Sequence, residues 1–230
     1  MQGEQEVVIR GERVGEVEEF RYLGGTLATS GNFEPELHCR IARATGKFAQ
    51  LRPIWRNKGM SLKSKMLFYR AFIPPALLYG CEAWAIKPAQ EEKLNAVHMR
   101  FLRSLLGVSR WDRWRNELVA FKCGILQVPD LISRARMGWV GHVVRMGEDR
   151  LPHKILFGGL TGGKRGRGRP NQRLGDVYLG DIATMSERGG EFHLRRGDEN
   201  TWWHKAKNRQ EWGALIDRVW PRKPAELAGF

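Results

Sequence analysis

The stretch LHCRIARATGKFAQL, residues 37–51, indicates the fold class of this chain. Its apolar residues recur at intervals of three and four, as on the buried face of an amphipathic helix: Leu37, Ile41, Ala44, Phe48 and Leu51. Basic side chains run along the flank of the same helix. We expect the helix to end near Pro53, because proline cannot continue the backbone hydrogen bonds of a helix interior.

Two more helices are predicted directly after this stretch. Ser61 is a suitable N-cap for a helix over residues 62–73, which the pair Pro74-Pro75 is expected to break or kink. Pro88 opens another helix, which Gly107 ends. Its predicted buried stripe consists of Leu94, Val97, Phe101 and Leu105.

The C-terminal half is predicted to contain shorter helices. We expect them over residues 113–122, from an Asp130 cap to about Met146, over residues 171–185 and over residues 202–220. His142 shares a helix side with apolar residues, which favours a packed core histidine over a metal ligand. No His or Cys pair has zinc-like spacing, so we predict no metal site.

The N-terminal residues have a strand pattern. Apolar side chains alternate over residues 6–10 and 17–27, on either side of the turn Gly11-Glu12-Arg13, which predicts a β-hairpin. The sequence therefore predicts a mainly α-helical fold with an N-terminal β-hairpin.

The charge of the chain is strongly positive. Its 230 residues carry 39 Lys and Arg against 25 Asp and Glu, a net charge of +14. Residues 1–19 contain six Glu and two Arg, so this segment has a charge of −4 and the remainder +18. An acidic partner, above all a nucleic-acid backbone, is the leading class, although a protein that is basic without such a partner remains an alternative.

Several classes of protein are excluded by composition. The longest apolar run, residues 71–79, is far shorter than the roughly 20 residues of a transmembrane helix. The acidic start lacks the apolar segment of a signal peptide. Three widely spaced cysteines, Cys39, Cys81 and Cys123, favour free thiols in a reducing compartment. We expect no membrane partner and an intracellular location, nuclear or nucleocytoplasmic.

Three groups of basic residues are candidate nucleic-acid-binding sites. The densest is the glycine-spaced run with Lys164, Arg165, Arg167, Arg169 and Arg173. It can bind phosphates, or it can be a solvated linker. The helix ended by Gly107 carries the second group, Lys93, Arg100 and Arg103, which either follows a nucleic-acid backbone or is simply the wet side of that helix.

The third group combines arginines with aromatic rings. Trp111 and Trp114 lie among Arg110, Arg113 and Arg115. Tryptophan beside arginine can stack on unpaired bases. The alternative is that both tryptophans belong to the core, where this residue type is more common.

Six stretches of the chain together resemble the C-terminal part of non-LTR (LINE-like) retrotransposon reverse transcriptases. In chain order they are FRYLGG (20–25), LLYGCEAW (77–84), FLRSLLG (101–107), GWVGHVVRM (138–146), GKRGRGRP (163–170) and AKNRQEW (206–212). The similarity extends over residues 17–219. Leu174 and Asn208 depart from the family pattern, which usually has Trp and Asp at these positions.

The resemblance implies a division of the chain. Residues 1–32 would be the hairpin at the end of the polymerase palm, and residues 33–125 a helical thumb and connection. A helical extension, 126–160, a basic linker, 161–173, and a helical C-terminal region, 174–230, would follow. Tyr22, Leu23, Gly24 and Gly25 would correspond to the primer grip; a strand end with a Gly-Gly bulge is the alternative.

The catalytic carboxylates of the family are absent from this sequence. Polymerases hold two Mg²⁺ ions with an Asp-Asp turn and an upstream Asp, and no Asp-Asp pair occurs here. We therefore predict no catalytic residue and no cofactor in this chain, since Mg²⁺ would belong to the palm. The chain is expected to be a fragment, or the reading frame of a decayed element, that does not polymerise alone.

Three functions are consistent with this sequence. The chain can bind RNA or DNA through phosphate contacts as the C-terminal portion of a reverse transcriptase. It can complete a polymerase when a palm-bearing chain supplies the carboxylates. The third alternative is a host-adapted module that binds a protein partner.

Overall fold

A computed structural model describes residues 8–158, 174–189, 192 and 201–221 of the chain. The described part is mainly α-helical with two short hairpins at its N-terminal end. The predicted fold class is therefore confirmed. No described helix is long and apolar enough to cross a membrane.

The strand segments pair differently from the prediction. β1 (Val8–Ile9) pairs with β2 (Glu12–Arg13), and β3 (Glu19–Tyr22) pairs with β4 (Gly25–Ala28), both antiparallel. Residues 17–27 are thus not one strand but turn back on themselves. Leu23 and Gly24 have φ values of 47° and 82°, the left-handed conformation that a two-residue type I′ turn requires.

The described residues contain ten α-helices. These are α1 (Glu34–Gln50), α2 (Arg52–Arg56), α3 (Leu62–Leu77), α4 (Pro88–Leu106), α5 (Asn116–Cys123), α6 (Val128–Val144), α7 (Leu151–Phe157), α8 (Leu174–Glu187), α9 (Trp202–Lys207) and α10 (Arg209–Val219). Short 3-10 turns occupy Cys81–Ala83 and Arg110–Asp112.

The predicted caps at the start of α3 and at the end of α4 are present. Ser61 Oγ accepts a hydrogen bond from the Ser64 backbone amide at 3.2 Å, which begins α3. Gly107 has a φ of 71° and ends α4 in the left-handed conformation that glycine favours. These predictions are confirmed.

Several predicted helix boundaries were wrong. α3 continues through Pro74 and Pro75 to Leu77, because the buried side chains of Ile73 and Leu77 hold its last turn in the core. α5 starts at Asn116. Asp130 lies in the first turn of α6, which begins at Val128.

The predicted helix over residues 202–220 is two helices. Asn208 separates them and is the N-cap of α10, since its Oδ1 accepts hydrogen bonds from the backbone amides of Gln210 and Glu211 at 3.1 and 3.3 Å. Asparagine and aspartate are both strong N-caps. Asn208, at a position where the family pattern usually has Asp, therefore preserves the local structure.

Two hydrophobic cores share helix α6. The first lies among α1, α3, α4 and α5, with Leu37, Tyr69 and Leu94 at its centre and Ile132 of α6 at its border. The second packs α6 against α7–α10 around large aromatic residues: Tyr178, Trp202, Trp212 and Trp220. Since α6 contributes to both, it joins the two groups of helices.

The predicted buried face of α6 was wrong. His142 is exposed, and the buried stripe runs through Ile132, Met137, Val140 and Val144. The predicted buried face, which includes His142, and the observed buried stripe lie about 100° apart on the helix. Packing of α6 against α9 and α10 buries the observed stripe.

His98 of α4 is fully buried in the first core. Its Nε2 lies 3.2 Å from the Leu126 carbonyl oxygen and its Nδ1 lies 2.8 Å from the Tyr69 hydroxyl. Because a carbonyl only accepts, Nε2 carries the proton and Nδ1 accepts from the tyrosine. Burial lowers the pKa of His98 to about 4, so the imidazole is neutral in the folded protein.

The pKa of His98 predicts a dependence of stability on pH. The unfolded chain binds this proton near pH 6.5 and the folded chain only near pH 4. The free energy of unfolding should therefore be unaffected by this group above pH 6.5 and fall by about 3 kcal/mol in total as the pH approaches 4. Urea unfolding at a series of pH values measures the decline. His98→Gln should lose this component; an equal decline in the variant would contradict the assignment.

Candidate nucleic-acid interface

The three basic residues predicted on α4 have different environments. Lys93 Nζ lies 3.0 Å from Glu34 Oε2, and hydrogen bonding from Lys93 lowers the pKa of that carboxyl group. Arg103 donates to the Trp114 carbonyl oxygen at 3.0 Å and to Asn116 Oδ1 at 2.8 Å. Arg100 is exposed. Lys93 and Arg103 therefore also have structural roles.

A cavity of about 540 Å³ lies along the C-terminal half of α4. Arg100, Arg103 and Arg110 all line it, together with Ser104 and Ser109. The structure thus brings together arginines from two of the predicted groups. No carboxylate is among the described residues that line this cavity.

A second cavity, of about 400 Å³, has Ser104 in its lining, as the first does. Arg52 and Arg56 of α2 line it, again without a carboxylate among the described lining residues. We call the two cavities together the arginine groove. It is defined by Arg52, Arg56, Arg100, Arg103, Ser104 and Arg110.

Sequence analysis missed the α2 side of the arginine groove. Arg52 and Arg56 are four residues apart, a spacing that places two side chains on one face of a helix. The expectation that the first helix ends near Pro53 concealed this pattern. Pro53 instead lies in the first turn of α2, where its missing amide hydrogen is not needed.

Aromatic rings form a layer beside the arginine groove. The ring centroids of Phe48 and Trp55 are 5.3 Å apart, and those of Phe48 and Phe101 are 4.4 Å apart. The Arg100 guanidinium lies over the Phe101 ring at 5.6 Å. This packing holds α1, α2 and α4 together and positions Arg100 by a cation–π contact.

The turn that carries Trp111 is held by its own capping bonds. Ser109 Oγ accepts from the Trp111 backbone amide at 3.2 Å, and Asp112 Oδ2 accepts from the Ser109 amide at 2.6 Å. Hydrogen bonding from the Ser109 backbone lowers the pKa of Asp112. The side chains of Arg110, Arg113 and Arg115, like that of Trp111, are exposed on and after this turn.

The structure separates the two tryptophans that the sequence treated alike. Trp114 is partly buried against the first core, whereas the Trp111 side chain is 92% exposed. Trp114 is therefore packed against the core, as one of the two alternatives predicted. Of these two tryptophans, only Trp111 has a ring available for stacking.

A separate groove of about 770 Å³ lies between the β3–β4 hairpin and α1. The Gly24 carbonyl oxygen accepts from Arg40 Nη2 at 2.9 Å and from Arg43 Nη1 at 2.6 Å. The Thr26 amide donates to Glu36 Oε2 at 2.6 Å, which fixes the hairpin on α1. Tyr22, Leu23 and Gly25, three of the primer-grip-like residues, line this groove.

The groove at the β3–β4 hairpin, which we call the hairpin groove, and the arginine groove both lie along α4. Gln90, near the start of α4, lines the former, and Arg103 lines the latter. Thirteen residues of helix correspond to about 20 Å. One rigid element therefore sets the distance between the two grooves.

The densest basic run lies outside the described residues. Lys164, Arg165, Arg167, Arg169 and Arg173 therefore remain a prediction. Within the described ranges, no three His, Cys, Asp or Glu side chains are grouped so that they could hold a metal ion.

The chain is similar to a Caenorhabditis elegans protein described as an uncharacterized transposon-derived protein. The identity is 27% over 213 residues, which cover 90% of this chain and 72% of the relative. No family model matches the chain. No solved structure matches it either. The similarity indicates a transposon-related origin for this protein.

Proposed function

We propose that this chain is a nucleic-acid-binding C-terminal portion of a non-LTR retrotransposon reverse transcriptase. It holds template–primer or target DNA through phosphate contacts in the arginine groove. The transposon-derived relative and the six family-like stretches support this origin. The chain itself lacks the Asp-Asp pair of the polymerase site, so its role is to hold the strand and not to catalyse synthesis.

The arginine groove is the observation that carries the proposal. Five arginines line the two cavities, which share Ser104 in their linings, and no described lining residue is acidic. Within the described part of the chain, the guanidinium groups of Arg52, Arg56 and Arg110 have no hydrogen-bond or ion-pair partner. Uncompensated guanidinium groups along a groove suit phosphate oxygens, which accept two parallel hydrogen bonds from the guanidinium fork.

Binding through the arginine groove predicts a steep dependence on salt. Each phosphate contact releases counterions, so five contacts should give a slope of log K against log salt of about −4. Arg52→Ala/Arg100→Ala should reduce the magnitude of this slope by about 1.5 and weaken binding at low salt. Fluorescence anisotropy with labelled RNA and DNA over a salt series measures both quantities.

A matched control separates groove contacts from net charge. Arg150→Ala/Lys154→Ala removes the same charge from exposed positions at α7 and should leave the slope unchanged. Equal slopes for the two double variants, or no binding of either nucleic acid at low salt, would contradict the proposal. Replacing Lys164, Arg165, Arg167 and Arg169 by alanine tests the basic run separately, since an unchanged slope would remove it from the interface.

A second candidate function is the completion of a polymerase by a palm-bearing chain. The β3–β4 hairpin supports it, because Phe20, Tyr22, Leu23 and Leu27 are exposed and, among the described residues, the hairpin forms a sheet of two strands. Two-stranded sheets are marginally stable alone, and exposed apolar side chains favour a covering partner. In that assembly the palm would hold the Mg²⁺ ions.

A further inference from the structure

Trp111 is the one exposed tryptophan of this protein. All nine tryptophans lie in the described residues; the other eight are buried or partly buried, while Trp111 is 92% exposed. Leaving an indole ring in water forgoes the large gain from burying its apolar surface. The exposed ring of Trp111 is therefore available for contact with a ligand.

The ring is presented by a fixed turn. The Ser109–Asp112 hydrogen bonds described above hold the backbone on both sides of Trp111. A ring on a fixed backbone loses little conformational freedom when a ligand binds it, which favours stacking contacts.

The same turn forms one end of the arginine groove. Ser109 and Arg110, the two residues before Trp111, line the groove together with Arg100 and Arg103. A strand whose phosphates bind these arginines would arrive beside the indole. A base in the interior of a duplex has both faces covered by its neighbours, whereas an unpaired base beside the groove can offer a face to Trp111.

We propose that Trp111 stacks on an unpaired base, so that the arginine groove binds a single-stranded segment next to a duplex in preference to a blunt duplex. This inference rests on the proposed nucleic-acid binding and adds the form of its ligand. A nucleic-acid strand satisfies the arginines with phosphates and the indole with a base. Stacking is tolerant of sequence, because every base has a π face.

The test compares one duplex in two forms, blunt and with a single-stranded overhang of about six nucleotides. Trp111→Ala should weaken binding of the overhang form by about tenfold and leave the blunt duplex unchanged. Trp111→Phe should retain most of the preference. The salt slope should stay the same in both variants, because no phosphate contact is lost.

A fluorescent base analogue gives a direct readout of stacking. 2-Aminopurine in the overhang should be quenched by the wild-type protein and not by Trp111→Ala. Phe72→Ala is the matched control, since Phe72 is an exposed aromatic residue of α3 outside the groove. It should behave as the wild type in every assay.

The outcomes distinguish this inference from the function on which it rests. If Trp111→Ala binds the overhang form as tightly as the wild type and the salt slope persists, the stacking role is wrong and phosphate binding stands. If the wild type binds neither form, the proposed function itself fails. If Trp111→Ala changes only self-association in sedimentation velocity, the ring belongs to a protein interface and the inference is overturned.

Discussion

Arg136→Met is expected to lower the free energy of unfolding by about 3–5 kcal/mol. Arg136 is 1% exposed and belongs to α6, the helix that contributes to both hydrophobic cores. Its Nη1 contacts Asp181 Oδ2 of α8 at 2.5 Å, and its Nη2 is 3.9 Å from Glu91 Oε1 of α4. Burial raises the pKa of Glu91, while the Arg136 charge opposes that change.

The cost of this variant comes from the charge that remains. Without the guanidinium, the Asp181 carboxylate is buried with Ser133 as its hydrogen-bond donor, at 2.7 Å, and without a cation. The double variant Arg136→Met/Asp181→Asn removes both charges and keeps an oxygen acceptor for Ser133. It should therefore recover most of the lost stability.

Urea unfolding followed by circular dichroism measures these differences. Arg188→Met is the control, since it breaks a more exposed pair with Asp130 and should cost at most about 1 kcal/mol. A loss in Arg136→Met no larger than that of Arg188→Met would show that the buried pair is not needed to join the cores.

Gly141→Ala is expected to destabilise the protein by about 2–4 kcal/mol, although alanine is intrinsically the better helix former. A Cβ atom on Gly141 would overlap Cδ1 and Nε1 of the buried Trp212 indole. Trp212 Nε1 donates to the Met137 carbonyl oxygen at 2.8 Å, so moving the ring would also break a buried hydrogen bond.

The same helix offers an internal control for this prediction. Gly138 is exposed, and a Cβ atom there would have no neighbour within 4 Å. Gly138→Ala should therefore stabilise the protein by up to about 1 kcal/mol, through helix propensity alone. Thermal or urea unfolding of the two variants compares them directly. Effects of the same sign would contradict the role of the close approach to Trp212.

These two sites explain how the C-terminal helices are attached to the rest of the protein. Arg136 connects α6 with α4 and α8, and Gly141 allows α10 to pack closely on α6. Both grooves, in contrast, lie on the first group of helices, along α4. Variants of Arg136 and Gly141 should therefore lower the stability of the protein more than they weaken phosphate binding in the arginine groove.

Local signals in the sequence were sufficient for part of the fold. Ser61 and Gly107 mark helix ends because capping depends on the hydrogen bonds of a few adjacent residues. The amphipathic period of residues 37–51 also identified α1, because this pattern too is contained in a short segment of the chain. Predictions failed where distant contacts compete with local preference, as when core packing carries α3 through Pro74 and Pro75.

Candidate site residues could be named from the sequence but not grouped. Arginine beside tryptophan drew attention to residues 110–115, yet the pattern could not tell Trp111 from Trp114. The pattern also did not indicate that Arg52 and Arg56 lie near Arg100 in the folded protein. Those residues are neighbours only because α1 and α2 pack on α4 through the Phe48 and Phe101 rings.

The sequence by itself determined the helical class, the helix caps and the strong positive charge, since these follow from composition and from interactions within a few residues. Only the tertiary structure decided which arginines share one groove and which tryptophan stays in water. These properties depend on the packing of residues far apart in the chain, where burial of the first core at α4 outweighs the preferences of any single segment.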